Sequence, residues 1–187
     1  MKDYKLTEGR ILRVEQDIYA ESPNEWSADI FIVYAHRDFT VKREGFVPSE
    51  IFDHYNNTPD DRFTNYYVFP LYAYIHSGVS LSLNRGSDRW DTSFKGFVLV
   101  KKSCFTNISE AEESAENLVE TWNQYLFGDV YQFVVIKTTE CPNCHHIEET
   151  IEDSCGGFYG DDPKTNGMLE HFSYKLIEEE VISPLPA

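Results

Sequence analysis

The sequence predicts an α+β fold, in which a mostly antiparallel sheet carries helices on one face. Three patterns predict it. Apolar and polar residues alternate over 71–83, several short runs are rich in β-branched and aromatic residues, and one run has apolar residues at helical spacing. No internal repeat and no low-complexity linker divides the 187 residues. We therefore predict a single domain over 1–187.

The strands follow from periodicity and residue type. Alternation over 71–83 places the aliphatic residues on one face, as in a half-buried strand or a bent pair of strands. These residues are Leu71, Ala73, Ile75, Val79, Leu81 and Leu83. The runs 28–35, 96–100 and 130–136 are each bounded by Gly, Asp or charged residues, and they predict three more strands.

Helices are predicted at three places. Ser109 and Glu112 have the spacing of a capping box, and Gly128 supplies a stop after apolar residues at helical spacing. The apolar residues are Ala111, Ala115, Leu118, Val119, Trp122 and Tyr125. A shorter helix is predicted over 48–55, and a last one between 164 and 182.

The formal net charge of −16 is concentrated in the second half of the chain. Residues 103–187 contain 17 acids and three bases, whereas the first 102 residues contain 15 acids and 13 bases. An aromatic content of 15% is too high for a disordered acidic tail, so the acids belong to a folded surface. Such a surface repels nucleic acid and anionic membranes and attracts basic partners. The alternative is that the acids only keep the protein in solution.

Three groups of acids are candidate partner-binding residues. We predict that they are exposed and face a basic protein. They are Glu110, Glu113, Glu116 and Glu120 on the central helix, Glu148, Glu149, Glu152 and Asp153 after the cysteine pair, and Glu178, Glu179 and Glu180 near the end.

A Cys-x-x-Cys pair, Cys141 and Cys144, lies between two runs that predict strands, so we expect a hairpin with its tip at 138–147. This arrangement is typical of a zinc knuckle, but a structural zinc needs four ligands. His146 and Cys155 are the candidates to complete the set, with His145 and Cys104 as alternatives. The other interpretation is a tight turn with reduced thiols and no cofactor.

A targeting segment is not predicted. The first residues have no apolar run behind them, and no stretch of 18 apolar residues occurs. We therefore expect a cytoplasmic protein with reduced cysteines.

Cys155, His76 and Asp91 are the candidate catalytic residues. Cys155 sits in a glycine-rich stretch, and a nucleophilic cysteine would need a base such as His76, oriented by Asp91. The alternative is a small buried cysteine at a turn and a histidine held in the sheet. The sequence therefore favours a binding protein over an enzyme. A pocket for a small molecule is the second possibility, with Tyr72, Tyr74, His76, Trp90, Asp91 and Tyr159 as its lining.

Four strings carry a resemblance. They are His76-Ser-Gly, Trp90-Asp-Thr, Gly128-Asp-Val-Tyr and Asp153-Ser-Cys-Gly-Gly-Phe-Tyr-Gly. In this order they resemble a widespread group of proteins of uncharacterised activity that bacteriophages, plasmids and integrated mobile elements encode. The resemblance spans about 68–162, and it implies a mobile-element setting without supplying catalytic residues. This chain differs at Thr92-Ser-Phe-Lys, at Gln132 and at Gly156.

Two functions are therefore predicted. The first is an inhibitor of a host restriction or CRISPR-type system, which would mimic DNA with an acidic surface and bind a basic, nucleic-acid-binding host protein. The alternative is a protein that binds or hydrolyses a small molecule or nucleotide in the Tyr/His/Asp pocket. Neutralising the acids should abolish only the first activity, and His76→Ala should abolish only the second.

Overall fold

Our computed structural model describes residues 1–56, 60–75, 77–85 and 92–182, without the side chains of 92, 93 and 178–182. These described residues contain ten strands and two helices. The strands are β1 (Lys2–Leu6), β2 (Arg10–Gln16), β3 (Ile30–Ala35), β4 (Thr40–Val41), β5 (Tyr66–Ile75), β6 (Val79–Ser82), β7 (Thr92–Lys101), β8 (Val130–Glu140), β9 (Ile147–Tyr159) and β10 (Leu176–Ile182). The helices are α1 (Pro48–Tyr55) and α2 (Ile108–Phe127). All the strand pairs are antiparallel, so the predicted α+β class, mostly sheet with a Cys-x-x-Cys hairpin, is confirmed.

The strands form two sheets, where the sequence predicts one. The first has the order β10-β1-β2-β8-β9 and the second β4-β3-β7-β5-β6. Each belongs to its own compact unit: unit 1 comprises 1–21 and 128–187, and unit 2 comprises 22–127. In unit 1 the Asp17 N–H donates to the Val130 carbonyl oxygen at 2.8 Å. The chain therefore leaves and re-enters unit 1 at neighbouring strand ends.

Unit 1 buries one face of its sheet. The core residues are Tyr4, Leu6, Leu12, Val14, Phe133, Val135, Phe158 and Met168. On β1 and β2 they occupy alternate positions, as half-buried strands require. The opposite face of these two strands carries Asp3, Lys5, Arg13 and Glu15 together with Ile11, and each strand contributes only two residues to the core. Two buried positions give too short an alternating pattern to recognise, which explains why the sequence predicts neither β1 nor β2.

The helix predicted between 164 and 182 is wrong. The segment forms a short 3₁₀ turn, Met168–Glu170, preceded by Gly167 at φ 85°, and then β10 pairs with β1. Leu169, Phe172 and Leu176 still pack against the core of unit 1. Strand pairing across the whole length of the chain overrides the weak helical spacing, and local sequence does not contain that information.

Unit 2 buries both faces of its sheet. Residues 31–34 of β3 and 97–100 of β7 are all at most 1% exposed, so their alternate side chains face two separate cores. One core packs against α2 and the other against α1, through Ile51. The two helices thus lie on opposite faces of the sheet, where the sequence predicts one face. Central strands that are apolar on both sides require cover on both.

Two predicted elements match closely. The alternation over 71–83 forms the hairpin of β5 and β6, and its six aliphatic residues pack against one core. Helix α2 buries Ala111, Ala115, Val119 and Trp122. Its cap differs from the prediction, because the Asn107 side chain, and not Ser109, accepts a hydrogen bond from the Glu110 N–H at 3.0 Å.

Candidate functional site

The outer face of α2 carries a row of carboxylates. At about 100° a residue, Glu113, Glu116 and Glu120 fall within about 60° of one another around the helix axis, and they extend over about 10 Å along it. All three side chains are exposed. The apolar spacing of α2 fixes this orientation, because burying Ala115 and Trp122 turns the glutamates toward solvent.

These three carboxylates lack cationic partners in the described part of the chain. The ion pairs of unit 2 there involve other acids: Asp29, Asp38, Glu50 and Asp60. Helix α2 itself contains neither Lys nor Arg. The negative charge of the row is therefore available to a partner.

Glu110 has a different role from the rest of the predicted group. Its carboxylate accepts hydrogen bonds from the Thr106 N–H at 3.1 Å, the Thr106 hydroxyl at 2.7 Å and the Asn107 amide at 3.0 Å. The Thr106 bonds lower the pKa of Glu110 below its ordinary value. Glu110 is thus part of the helix cap, where a carboxylate satisfies free backbone N–H groups.

A groove of about 220 Å³ lies between α2 and β6, which is an edge strand of its sheet. Glu116 and Glu120 stand at its rim, and Asn123 fixes the position of the strand. The Asn123 side chain accepts from the Leu81 N–H at 2.7 Å and donates to the Leu81 carbonyl at 2.9 Å. Two of the residues that border this groove are therefore carboxylates, which attract a cationic group.

Two of the predicted partner-binding acids on the β8–β9 hairpin, Glu149 and Glu152, already pair with arginines of the same chain. Arg10 donates two hydrogen bonds to Glu152, at 3.0 and 3.1 Å, and Arg13 donates to Glu149 at 3.2 Å. The bond from Arg10 lowers the pKa of Glu152. Sequence reasoning missed both pairs because they depend on β2, which it does not predict.

The remaining acids of the predicted set divide by position. Glu148 and Asp153 are exposed on β9, and the Asp153 side chain accepts from the Ser154 N–H at 2.8 Å. The side chains of Glu178, Glu179 and Glu180 lie outside the described residues.

Unit 1 contains 17 acids and seven bases, and unit 2 contains 15 acids and nine bases, so each unit is acidic by itself.

The predicted metal ligands do not all meet. Cys141 and Cys144 lie close together in the turn between β8 and β9. Cys155 pairs with Phe133, seven positions along β8 from the Glu140–Ile147 pair, which is about 23 Å away. No group of three His, Cys, Asp or Glu side chains within the described ranges is arranged to hold a metal ion.

Cys155 and the glycines after it have structural contacts. Cys155 is half-buried against the core of unit 1. Gly156 and Gly157 form a bulge opposite Gln132, and the Gly157 N–H donates to the Asp17 carboxylate at 3.0 Å. A Cβ atom on Gly156 would lie 2.3 Å from that carboxylate. The other two catalytic candidates, His76 and Asp91, fall outside the described residues.

An apolar cavity of about 330 Å³ lies in unit 2 between α1 and β7. Phe52, Phe94 and Phe97 line it, with Asp53 and Lys95 as its charged groups. Of the predicted pocket residues, Tyr72 approaches this cavity, since its ring centroid is 5.2 Å from that of Phe94. Trp90 is outside the described residues, and Tyr159 belongs to unit 1.

Comparison with protein-family models, with curated proteins and with solved structures found no match to this chain. The resemblance to mobile-element proteins, stated above from four strings, therefore stays a prediction. Neither helix in the described ranges combines the length and apolar character that crossing a bilayer requires.

Proposed function

We propose that this protein is a mobile-element accessory protein that inhibits a host nucleic-acid-binding defence enzyme, of the restriction or CRISPR type. In this proposal the acidic face of α2 occupies the basic groove that normally holds DNA, in the cytoplasm of the host cell. The observation that carries the proposal is the row formed by Glu113, Glu116 and Glu120, exposed and without a cationic partner in the described ranges.

The spacing of the row supports DNA mimicry. One strand of duplex DNA presents a charge about every 3.4 Å along its axis. Glu113 and Glu116 are about 4.5 Å apart along the helix axis, and Glu116 and Glu120 about 6 Å. A protein groove that binds successive phosphates through Lys and Arg can pair with carboxylates at this separation, and the groove beside β6 can receive one of those side chains.

The overall charge supports the same partner class. Both units are acidic, so the long-range field attracts a basic surface and speeds encounter with it. This field also disfavours direct binding of nucleic acid by the protein.

The test is the efficiency with which a restricted phage or plasmid establishes itself in cells that express the protein, against each of a panel of restriction and CRISPR systems. We expect rescue with one system. The triple variant Glu113→Gln, Glu116→Gln, Glu120→Gln should reduce that rescue at least tenfold, because it removes the charges that replace phosphates.

A matched control removes three other exposed acids. Glu21→Gln, Glu44→Gln and Asp61→Asn change the net charge by the same amount outside α2, and this variant should keep the rescue. Equal loss in both variants would mean that only total charge matters. Rescue with no DNA-targeting system would contradict the proposal.

The cavity beside α1 favours a second candidate function, binding of a small aromatic ligand such as a nucleoside or nucleotide. Its three Phe side chains offer stacking surfaces, and Lys95 can pair with an anionic group. Thermal unfolding of the full chain with a nucleotide panel tests this. A ligand that raises Tm in the parent but not in Phe52→Ser supports it, and the absence of any such ligand contradicts it.

A further inference from the structure

Two backbone hydrogen bonds hold the turn between β8 and β9 around its cysteine pair. The Cys141 N–H donates to the His146 carbonyl at 2.8 Å, and the His145 N–H donates to the Cys141 carbonyl at 2.9 Å. His145 has φ 57°, a left-handed conformation that reverses the chain directly after Cys144. These two hydrogen bonds thus link Cys141, at the start of the turn, to the residues that directly follow Cys144.

The polar groups inside the turn converge on one sulfur. The backbone N–H groups of Asn143 and Cys144 are directed toward Cys141. Groups of this kind around a ligand orient it for a metal ion. Cys144 is exposed and Cys141 half-buried, so a metal ion can reach both.

One chain supplies too few ligands. A structural zinc site takes four, and the two cysteines provide two. Within the described residues no third His, Cys, Asp or Glu joins them, and the register of β8 and β9 keeps Cys155 about 23 Å away. His145 is engaged with Glu140, its Nδ1 lying 2.5 Å from the carboxylate oxygen.

The turn is placed at the end of a projecting arm. The last pair between β2 and β8 on this side is Arg10 with Lys137, so beyond Lys137 β8 pairs with β9 alone. Three further pairs, about 10 Å of two-stranded ribbon, carry the cysteines away from the sheet. Within unit 1 the tip therefore lies beyond the last β2–β8 pair.

We propose that the Cys141–Cys144 turn binds Zn²⁺ and that a second copy of this chain completes the site, so that four thiolates from two arms hold one ion. Each turn loses two thiol protons when the metal binds. Ile147, which is 42% exposed, lies on the arm beside the turn and gains cover when two arms meet. Glu148 remains exposed and draws cations toward the tip.

The experiment uses the full chain, reduced with a phosphine and freed of metal, and titrated with Zn²⁺ or Co²⁺. Metal content, molar mass by light scattering and the thiolate-to-cobalt charge-transfer absorption are measured. We expect one metal per two chains and a mass twice the 21.7 kDa of one chain. A chelator should return the monomer, and a reductant alone should not.

Variants separate this site from the other thiols. Cys141→Ser and Cys144→Ser should each lose the doubled mass and the cobalt absorption, whereas the double variant Cys104→Ser, Cys155→Ser should keep both. Because the tip is exposed, circular dichroism should show an unchanged fold in all of them. One metal per chain at monomer mass, no metal binding in the reduced protein, or a dimer that survives the chelator would each overturn the proposal.

Discussion

Arg13 connects two acidic residues of unit 1, Asp3 and Glu149, through one side chain. It donates to both carboxylate oxygens of Asp3, at 3.0 and 2.9 Å, and also to Glu149. Asp3 is only 4% exposed, and its carboxylate raises the pKa of Arg13 above the ordinary value. A buried carboxylate depends on such a partner, because burial removes its hydration and only an ion pair or hydrogen bonds can compensate for that loss.

Arg13→Leu should therefore destabilise the protein. We expect the free energy of unfolding to fall by about 3 kcal/mol, because the change leaves the Asp3 charge buried and unpaired. Urea denaturation measures this. Arg37→Leu is the control, since the Arg37 side chain is 86% exposed and its pair with Asp38 should contribute little to stability. A loss below about 1 kcal/mol for Arg13→Leu would contradict this role.

Helix α2 depends on side chains that precede it. Asn107 and Glu110 form reciprocal hydrogen bonds around the first turn, with Thr106 as the second donor. Several residue types at 106–110 can cap a helix, so sequence alone identified the presence of a cap but shifted it by two residues. Which of these residues caps the helix depends on where the buried face of α2 begins.

The cap should make stability depend on pH in a defined direction. The pKa of Glu110 is lowered in the folded protein, so its stabilisation is present above about pH 4.5, the ordinary value, and is lost as the pH falls through the lowered pKa. The difference in Tm between the parent and Glu110→Gln should be largest at pH 7 and should close toward pH 3. Calorimetry at several pH values measures it.

Glu112→Gln controls for charge. It removes a carboxylate from the same helix turn, but the described residues include no hydrogen-bond donor to Glu112, so this variant should lose no Tm at pH 7. An equal loss in both variants would show that charge, and not capping, determines the effect.

At the scale of the whole molecule, the chain is divided into two units with separate cores. Unit 2 contains all five strands of its sheet, both helices and two apolar clusters. Unit 1 is formed from the two ends of the chain, and the Asp17–Val130 hydrogen bond holds the entry and exit of the insertion together. Insertions whose ends lie close together are well tolerated by the host sheet.

We expect residues 22–127, expressed alone, to fold. The fragment has its complete sheet and cores, so it should give a dispersed amide NMR spectrum and a cooperative unfolding transition. An unfolded fragment, under conditions in which the full chain is folded, would instead favour the predicted single domain over 1–187.

Sequence by itself determined the features that repeat locally. The α+β class, the β5–β6 hairpin and the buried stripe of α2 all followed from periodicity, because a single buried face imprints a regular spacing on the chain. The exposure of the glutamate row on α2 followed from the same spacing. The turn of Cys141 and Cys144 was also predictable, since both cysteines and the reversal are contained in a few residues.

Only the tertiary structure decided which distant segments pair. It joined β1 and β2 to β8 and β10, replaced the predicted last helix with a strand, and placed α1 and α2 on opposite faces. It also neutralised Glu149 and Glu152 with arginines from the other end of the chain, and it separated Cys155 from the cysteine pair. For the pairs β1–β10 and β2–β8 and for the two arginine–glutamate pairs, the physical reason is that the partners lie more than a hundred residues apart and leave no periodic signal in the local sequence.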